Sequence, residues 1–161
     1  MRIKASAAAI FGLAFSLQDN PAFAAGSDAC LVLTRPQIST VLGVIVDAGQ
    51  HIGPGGALCS WGEPGDPNHE GKHVLLTLYR SVGKISPVER FENGKTPIGG
   101  IQKTPVSGIG DDAYYIDTPG FGLGLNVKKG NSAFQIKVFG FSADLTKNLE
   151  RTLAESVLAK L

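Results

Sequence analysis

The chain has 161 residues, 43% of them hydrophobic and 18% charged, which is enough apolar surface to offset chain entropy and excludes a disordered protein. Its length suits one domain, or at most a very unequal two. No apolar run of about 18 residues occurs, which excludes a polytopic membrane protein, and a formal net charge of +1 leaves no electrostatic footprint for nucleic acid.

The N-terminus reads as an export signal. Arg2 and Lys4 form a basic start, Ala5 to Leu17 is apolar, and Asn20-Pro21 breaks the run before Ala22-Phe23-Ala24. Small residues in that pattern are what a signal peptidase accepts. The expected organisation is a secretory signal over 1–24 and a single domain over 25–161. Cleavage removes Arg2, Lys4 and Asp19 and leaves equal numbers of acidic and basic residues, so no steering toward nucleic acid or an anionic membrane is expected. Asp28 precedes Cys30 closely where a lipid-attachment signal would carry a small or apolar residue, so the mature chain is expected to be free, with no transmembrane anchor.

Cys30 and Cys59 both lie in the mature chain. An even count behind an export signal predicts a disulfide between them. Closing a loop of about 30 residues is expected to stabilise the fold by about 3–4 kcal/mol in the loop-entropy account.

Thr34 as N-cap and Pro36 in the first turn predict a short helix over about 35–42, with Ile38, Val41 and Leu42 on one stripe and Gly43 as its stop. Val44-Ile45-Val46 reads as a strand, His51 to Gly56 as a loop, and Ala57 to Trp61 as a second strand. Glu63 to Asn68 is a loop, and Lys72 to Arg80 is the best strand of the first half. Ser86, Pro87 and Glu89 predict a capping box and a helix over about 87–93. A strand over about 101–106 and another over Ala113–Asp117 follow. The turn Thr118-Pro119-Gly120 has type II chemistry, Phe121 to Val127 alternates as a strand, and Lys129-Gly130-Asn131 is hairpin chemistry before the strand carrying Phe134, Ile136 and Val138.

From about Ala143 to Lys160 a longer helix is predicted. Leu145, Leu149, Leu153, Val157 and Leu161 recur every fourth residue, with Leu158 beside them, and Lys147, Glu150, Arg151 and Glu155 are expected on the solvent side. The strands are joined by short turns rather than crossover helices. The expected class is therefore α+β: an antiparallel sheet of about five to seven strands, with two short helices and a longer C-terminal helix packed on one face.

Several short motifs carry a resemblance. Cys30-Leu31-Val32-Leu33-Thr34, the short helix to Gly43, Cys59-Ser60-Trp61 and Ser107-Gly108-Ile109-Gly110-Asp111-Asp112-Ala113-Tyr114 make the chain resemble small exported bacterial envelope proteins, many of them lipoproteins of unknown function. Those share a Cys-x-Leu-Leu-Thr start, a second Cys near an aromatic residue and a Gly-x-Gly-Asp-x-Ala segment. The resemblance implies an exported domain with one disulfide. It carries over no catalytic residue, and this chain lacks the lipid-attachment signal.

Chemistry-bearing patterns are sparse. His69-Glu70-Gly71-Lys72-His73 matches H-E-x-x-H, the zinc-peptidase spacing in which two histidines on one helical turn bind metal and the glutamate activates water. Gly71 inside it, Pro67-Asn68 before it and a β-rich run after it argue against the helix that mechanism needs. Gly122 and Gly124, inside a predicted strand, mark a bulge or the close approach of another backbone. Asp111-Asp112 reads as turn chemistry. Ser60, His51 and Asp47 have the residue types of a hydrolytic triad, with nothing in their spacing to assemble one. Phe139 and Phe141 have parity opposite to Phe134, Ile136 and Val138, which places them on the other sheet face, packed against a loop or forming an apolar binding patch.

The reading these observations favour is an exported, periplasmic or secreted, non-catalytic binding or accessory module of the cell envelope, with no cofactor and no metal, whose partner is an envelope protein or a small ligand. The alternatives are a zinc-dependent hydrolase using His69, Glu70 and His73, and an inhibitor-like domain gripping a protein through its aromatic sheet face.

Overall fold

The computed structural model describes residues 27–66, 70–97, 99 and 101–161. The predicted export signal lies outside the described residues. Asp28 accepts the Cys30 N–H at 2.8 Å and so caps a one-turn helix, α1 (Ala29–Val32), which the sequence reading did not anticipate. Thr34 and Gln37 form a reciprocal capping box that starts α2 (Arg35–Leu42), and Gly43, at φ +67°, ends it. The box expected at Ser86 forms by half: the Ser86 hydroxyl accepts from the Glu89 N–H and starts α3 (Pro87–Lys95).

The expected strand over Val44–Val46 is not one. Its backbone groups go elsewhere: the Val46 N–H donates to Ser39 Oγ and the Asp47 N–H to the Gly62 carbonyl. The β-branched run there supplies one fully buried anchor, Val46, on an extended connection. The strand lies further on, as β1 (Gln50–His51), where a loop was expected, followed by a one-turn 3₁₀ segment at Pro54–Gly56. The remaining strands are β2 (Leu58–Gly62), β3 (His73–Leu78), β4 (Gln102–Val106), β5 (Asp112–Thr118), β6 (Gly122–Lys129) and β7 (Ser132–Phe139). They form one antiparallel sheet in the order β1-β2-β3-β7-β6-β5-β4. The α+β class with an antiparallel sheet is thus the fold of this chain. The Cys30–Cys59 disulfide is present and ties α1 to β2.

The helices divide between the two faces. The C-terminal helix, α4 (Ala143–Leu158), packs with α1 and α2 over the larger core, which holds Trp61, Leu76, Leu125, Phe134, Ile136 and Leu153. The shorter α3 lies on the opposite face, where Phe91 meets Tyr114 and Ala133, neighbours in sequence of the α4-side residues Tyr115 and Phe134. A Cβ on Gly94 of α3 would lie 2.3 Å from the Tyr114 hydroxyl, so only glycine admits that ring.

Two expectations about side-chain direction are corrected. The buried face of α4 is Thr146, Glu150, Leu153, Ala154 and Val157, while Leu145 is 44% exposed. A fourfold spacing advances about 40° around a helix at each step, so a long Leu ladder drifts off its target. Glu150, expected in solvent, is fully buried. Phe139 and Phe141 do not share a face. Phe139 stacks on His73 with ring centroids 4.2 Å apart, whereas Phe141 joins the α4-side core, because Gly140 at φ +84° interrupts the strand alternation between them.

Candidate functional site

Strands β6 and β7 are the inner pair beneath α4, and they part at one end. Their ladder runs from Lys129↔Ser132 to Leu125↔Ile136 and stops. Beyond it, Gly122 to Gly124 pair only with β5, and Lys137 to Phe139 pair only with β3. The backbone amides freed by this fork need other partners, because a buried unpaired N–H costs about as much as a lost hydrogen bond. Glu150 supplies one from the α4 side: its Oε1 accepts the Val138 N–H at 3.0 Å. Lys137 spans the same gap from the other face, donating from Nζ to the Phe121 carbonyl at 3.0 Å. The Lys137 side chain lies where a Cβ on Gly124 would be, and the Phe139 ring lies 3.2 Å from a Cβ on Gly122. The two glycines therefore admit side chains of β7, not another backbone.

Burial raises the Glu150 carboxyl to about 8, against the opposing effects of the Val138 bond and the Lys137 charge. Its Oε2 has no partner, which a neutral carboxyl tolerates far better than a charged one. Burial also lowers the Lys137 ammonium.

Beside the fork the α4-side face of the sheet is open. An uncovered groove of about 700 Å³ runs between the first half of α4 and strands β4 and β5. Its floor carries Thr104, Val106 and Tyr115, and Leu123, Val138 and Phe141 close its inner end. Tyr115 donates its hydroxyl to the Lys147 carbonyl at 2.9 Å, and burial pushes its phenol up to about 12. Lys147 and Arg151, four residues apart on α4, line the wall, and the Arg151 guanidinium is held at the rim by the Ser107 and Gly108 carbonyls. Among the described residues of the lining, Asp117 is the sole acidic one. The arrangement offers cationic donors above a partly apolar floor.

The zinc-peptidase spacing is not brought together as that chemistry requires. His69 lies outside the described residues. Glu70 is exposed on an irregular segment, and His73 opens β3 with its ring stacked on Phe139 and Nδ1 2.9 Å from the Gly71 carbonyl. Glu70 and His73 are not on a helix. Ser60, His51 and Asp47 do not assemble either: His51 Nε2 is 2.7 Å from Asp28 Oδ1, and Ser60 Oγ has no partner. His51, ahead of the Cys30 N–H, holds the Asp28 carboxyl below its usual range. Asp28, Cys30 and His51 gather within 4.8 Å among the described residues, but Cys30 is spent in the disulfide, leaving two ligands rather than a metal set. Asp111 pairs with Lys129 and accepts the Gly130 N–H at the hairpin turn, whereas Asp112, the first residue of β5, pairs with Lys95 of α3.

The groove and the fork were not found by sequence reasoning. The signal that could have found Glu150 is its place on the 146, 150, 153, 157 spacing of the buried face. No protein-family model, curated protein or solved structure matches the chain. Among the described residues no helix is long and apolar enough to cross a membrane.

Proposed function

We propose that the protein is an exported binding module of the cell envelope, periplasmic or secreted, which holds a small amphipathic anion in the groove between α4 and strands β4 and β5. The observation that carries this reading is the groove itself: about 700 Å³, within the usual range for small-ligand sites, with Lys147 and Arg151 on one wall and apolar residues at its inner end. A carboxylate or sulfate head would meet Lys147 and the rim guanidinium, and a short apolar body would lie over Val106 and Leu123. The described lining residues offer cationic donors and apolar surface, which suit binding. The disulfide supports an oxidising compartment, as does the export-type N-terminus.

The edges of the sheet favour a ligand over an added strand. β1 is two residues long, and the outer strand β4 carries Pro105, which lacks an N–H for pairing. The test is a backbone-amide NMR titration of the exported protein with octanoate. Saturable shifts confined to Thr104, Tyr115, Leu123 and Thr146, abolished by Thr104→Trp, are expected. Shifts scattered over the surface, or an undiminished response in Thr104→Trp, would remove the groove as the site. Mass measurement of protein from the periplasmic fraction, expected to begin at Ala25, tests the export.

A further inference from the structure

The groove has two unlike ends. Arg151 is bonded to the Ser107 and Gly108 carbonyls, just past the Val106↔Ala113 end of the β4–β5 ladder, whereas Asp117 lies at the opposite end, opposite Gln102. The stretch of β5 from Ala113 to Asp117 covers about 13 Å at the usual rise of an antiparallel strand. Asp117 has the parity of Ala113 and Tyr115, so it stands on the α4-side face. It is exposed, as is Lys147 on the wall, and neither side chain has a hydrogen-bond or ion-pair partner among the described residues. The bonds of Arg151 to the rim use Nη2 and leave other donors of its fork for a ligand. One groove therefore holds an acid and two bases that do not neutralise one another.

An acid and bases set apart in this way are complementary to a ligand that carries both charges, whereas Asp117 would repel a simple carboxylate. Gln102 and Thr104, exposed along the same floor, each offer a donor and an acceptor, which is what an amide group needs. We propose that the ligand of the groove is a short apolar peptide of about two or three residues with free termini, a length set by the strand spacing. Its ammonium meets Asp117, its carboxylate meets Lys147 and Arg151, its amides lie against Gln102 and Thr104, and an apolar side chain covers Leu123. The inference rests on the groove being the binding site, and it narrows the amphipathic anion to a zwitterion. An extended tripeptide spans about 10 Å, so with protein side chains reaching in from both ends it bridges the two charges. A single amino acid holds its charges too close together to do so.

The experiment is a backbone-amide NMR titration of the full exported chain with the tripeptide alanyl-leucyl-alanine, its N-acetyl form and octanoate. Saturable shifts at Thr104, Tyr115 and Asp117 are expected with the free peptide. N-acetylation is expected to weaken binding about fivefold, the upper end for one exposed ion pair, and this penalty is expected to vanish in Asp117→Asn. Asp144→Asn, the same change in net charge on α4 but outside the lining, is expected to keep it. Octanoate is expected to bind Asp117→Asn more tightly than the wild type, because the lost charge repels its carboxylate. Saturation by octanoate but not by the peptide, an N-acetyl peptide that binds the wild type as tightly as the free one, or an N-acetyl penalty that persists in Asp117→Asn would each overturn the zwitterion and leave the groove reading standing. If neither octanoate nor the peptide saturates, the groove reading falls and this inference with it.

Discussion

The two ends of the β6–β7 pair solve the same problem in opposite ways. At the hairpin end the ladder is complete down to Lys129↔Ser132, and the turn is tied by Asp111, which accepts from the Gly130 N–H and from Lys129 at the surface. At the fork the ladder stops, and a side chain from α4 takes the place of a strand. A backbone partner carries no charge, so the ladder is indifferent to pH. A carboxyl partner in an apolar gap is not, because its charged form has lost its water. The fork is therefore where packing, polarity and protonation are coupled, and the groove opens beside it.

The largest break in this comparison is expected from Leu153→Ala. Leu153 is fully buried one turn beyond Glu150 and presses α4 onto the sheet. Loss of its transfer energy plus the cavity left behind is expected to cost about 2–5 kcal/mol, read as a fall in melting temperature. Glu150→Ala, measured at pH 5, strands the Val138 N–H and is expected to cost about 1–3 kcal/mol. Exchange of the Val138 amide with solvent should accelerate in that variant, while amides between Leu125 and Lys129 stay protected.

Glu150→Gln sharpens the comparison through pH. The folded carboxyl titrates near 8 and an unfolded one near 4.5, so between these values the folded protein holds the proton more firmly. Its contribution to stability is complete below about 4.5 and is lost as pH rises toward 8. Denaturation midpoints at pH 5, 7 and 9 are expected to fall for the wild type relative to the glutamine variant. Parallel profiles would show that the carboxyl is ionised in place.

At the hairpin end Asp111→Asn should have the smaller effect and the opposite sign with pH. Lys129 and the Gly130 N–H hold its carboxyl below the usual range, so its contribution is present above that range and fades as pH falls. The site is half exposed, so a loss under about 1 kcal/mol, shrinking with salt, is expected. Lys147→Ala, exposed on the groove wall, is expected to shift stability by no more than about 0.5 kcal/mol, while weakening octanoate binding.

Local chemistry was legible where it was self-contained. The caps at Thr34 and Ser86, the stop at Gly43, the turn at Gly120 and the hairpin at Gly130 all act within four residues, and each sits where its residue types require. The Val44–Val46 strand failed because a β-branched run favours extended backbone and burial, and does not report whether a neighbouring strand exists to take the N–H groups. Phe139 and Phe141 were placed on one face by parity, which Gly140 breaks with a positive φ that no pattern of hydrophobicity encodes. Of the candidate sites, the H-E-x-x-H match was visible as letters. The groove joins residues between Gln102 and Arg151 on four strands and a helix, so no local window contained it.

The sequence by itself determined the disulfide partners, the antiparallel α+β class, the number and order of the later strands and the presence of an amphipathic C-terminal helix, because each rests on periodicity, turn chemistry or a count of two cysteines. Only the tertiary structure decided which edge of that helix is buried, that α3 takes the opposite face of the sheet, and that β6 and β7 part. Those outcomes depend on how far one surface reaches across another. A glutamate at position 150 is polar in any sequence window, and it becomes a buried, proton-holding partner of Val138 only when the helix is laid against a sheet with a strand contact missing at that point.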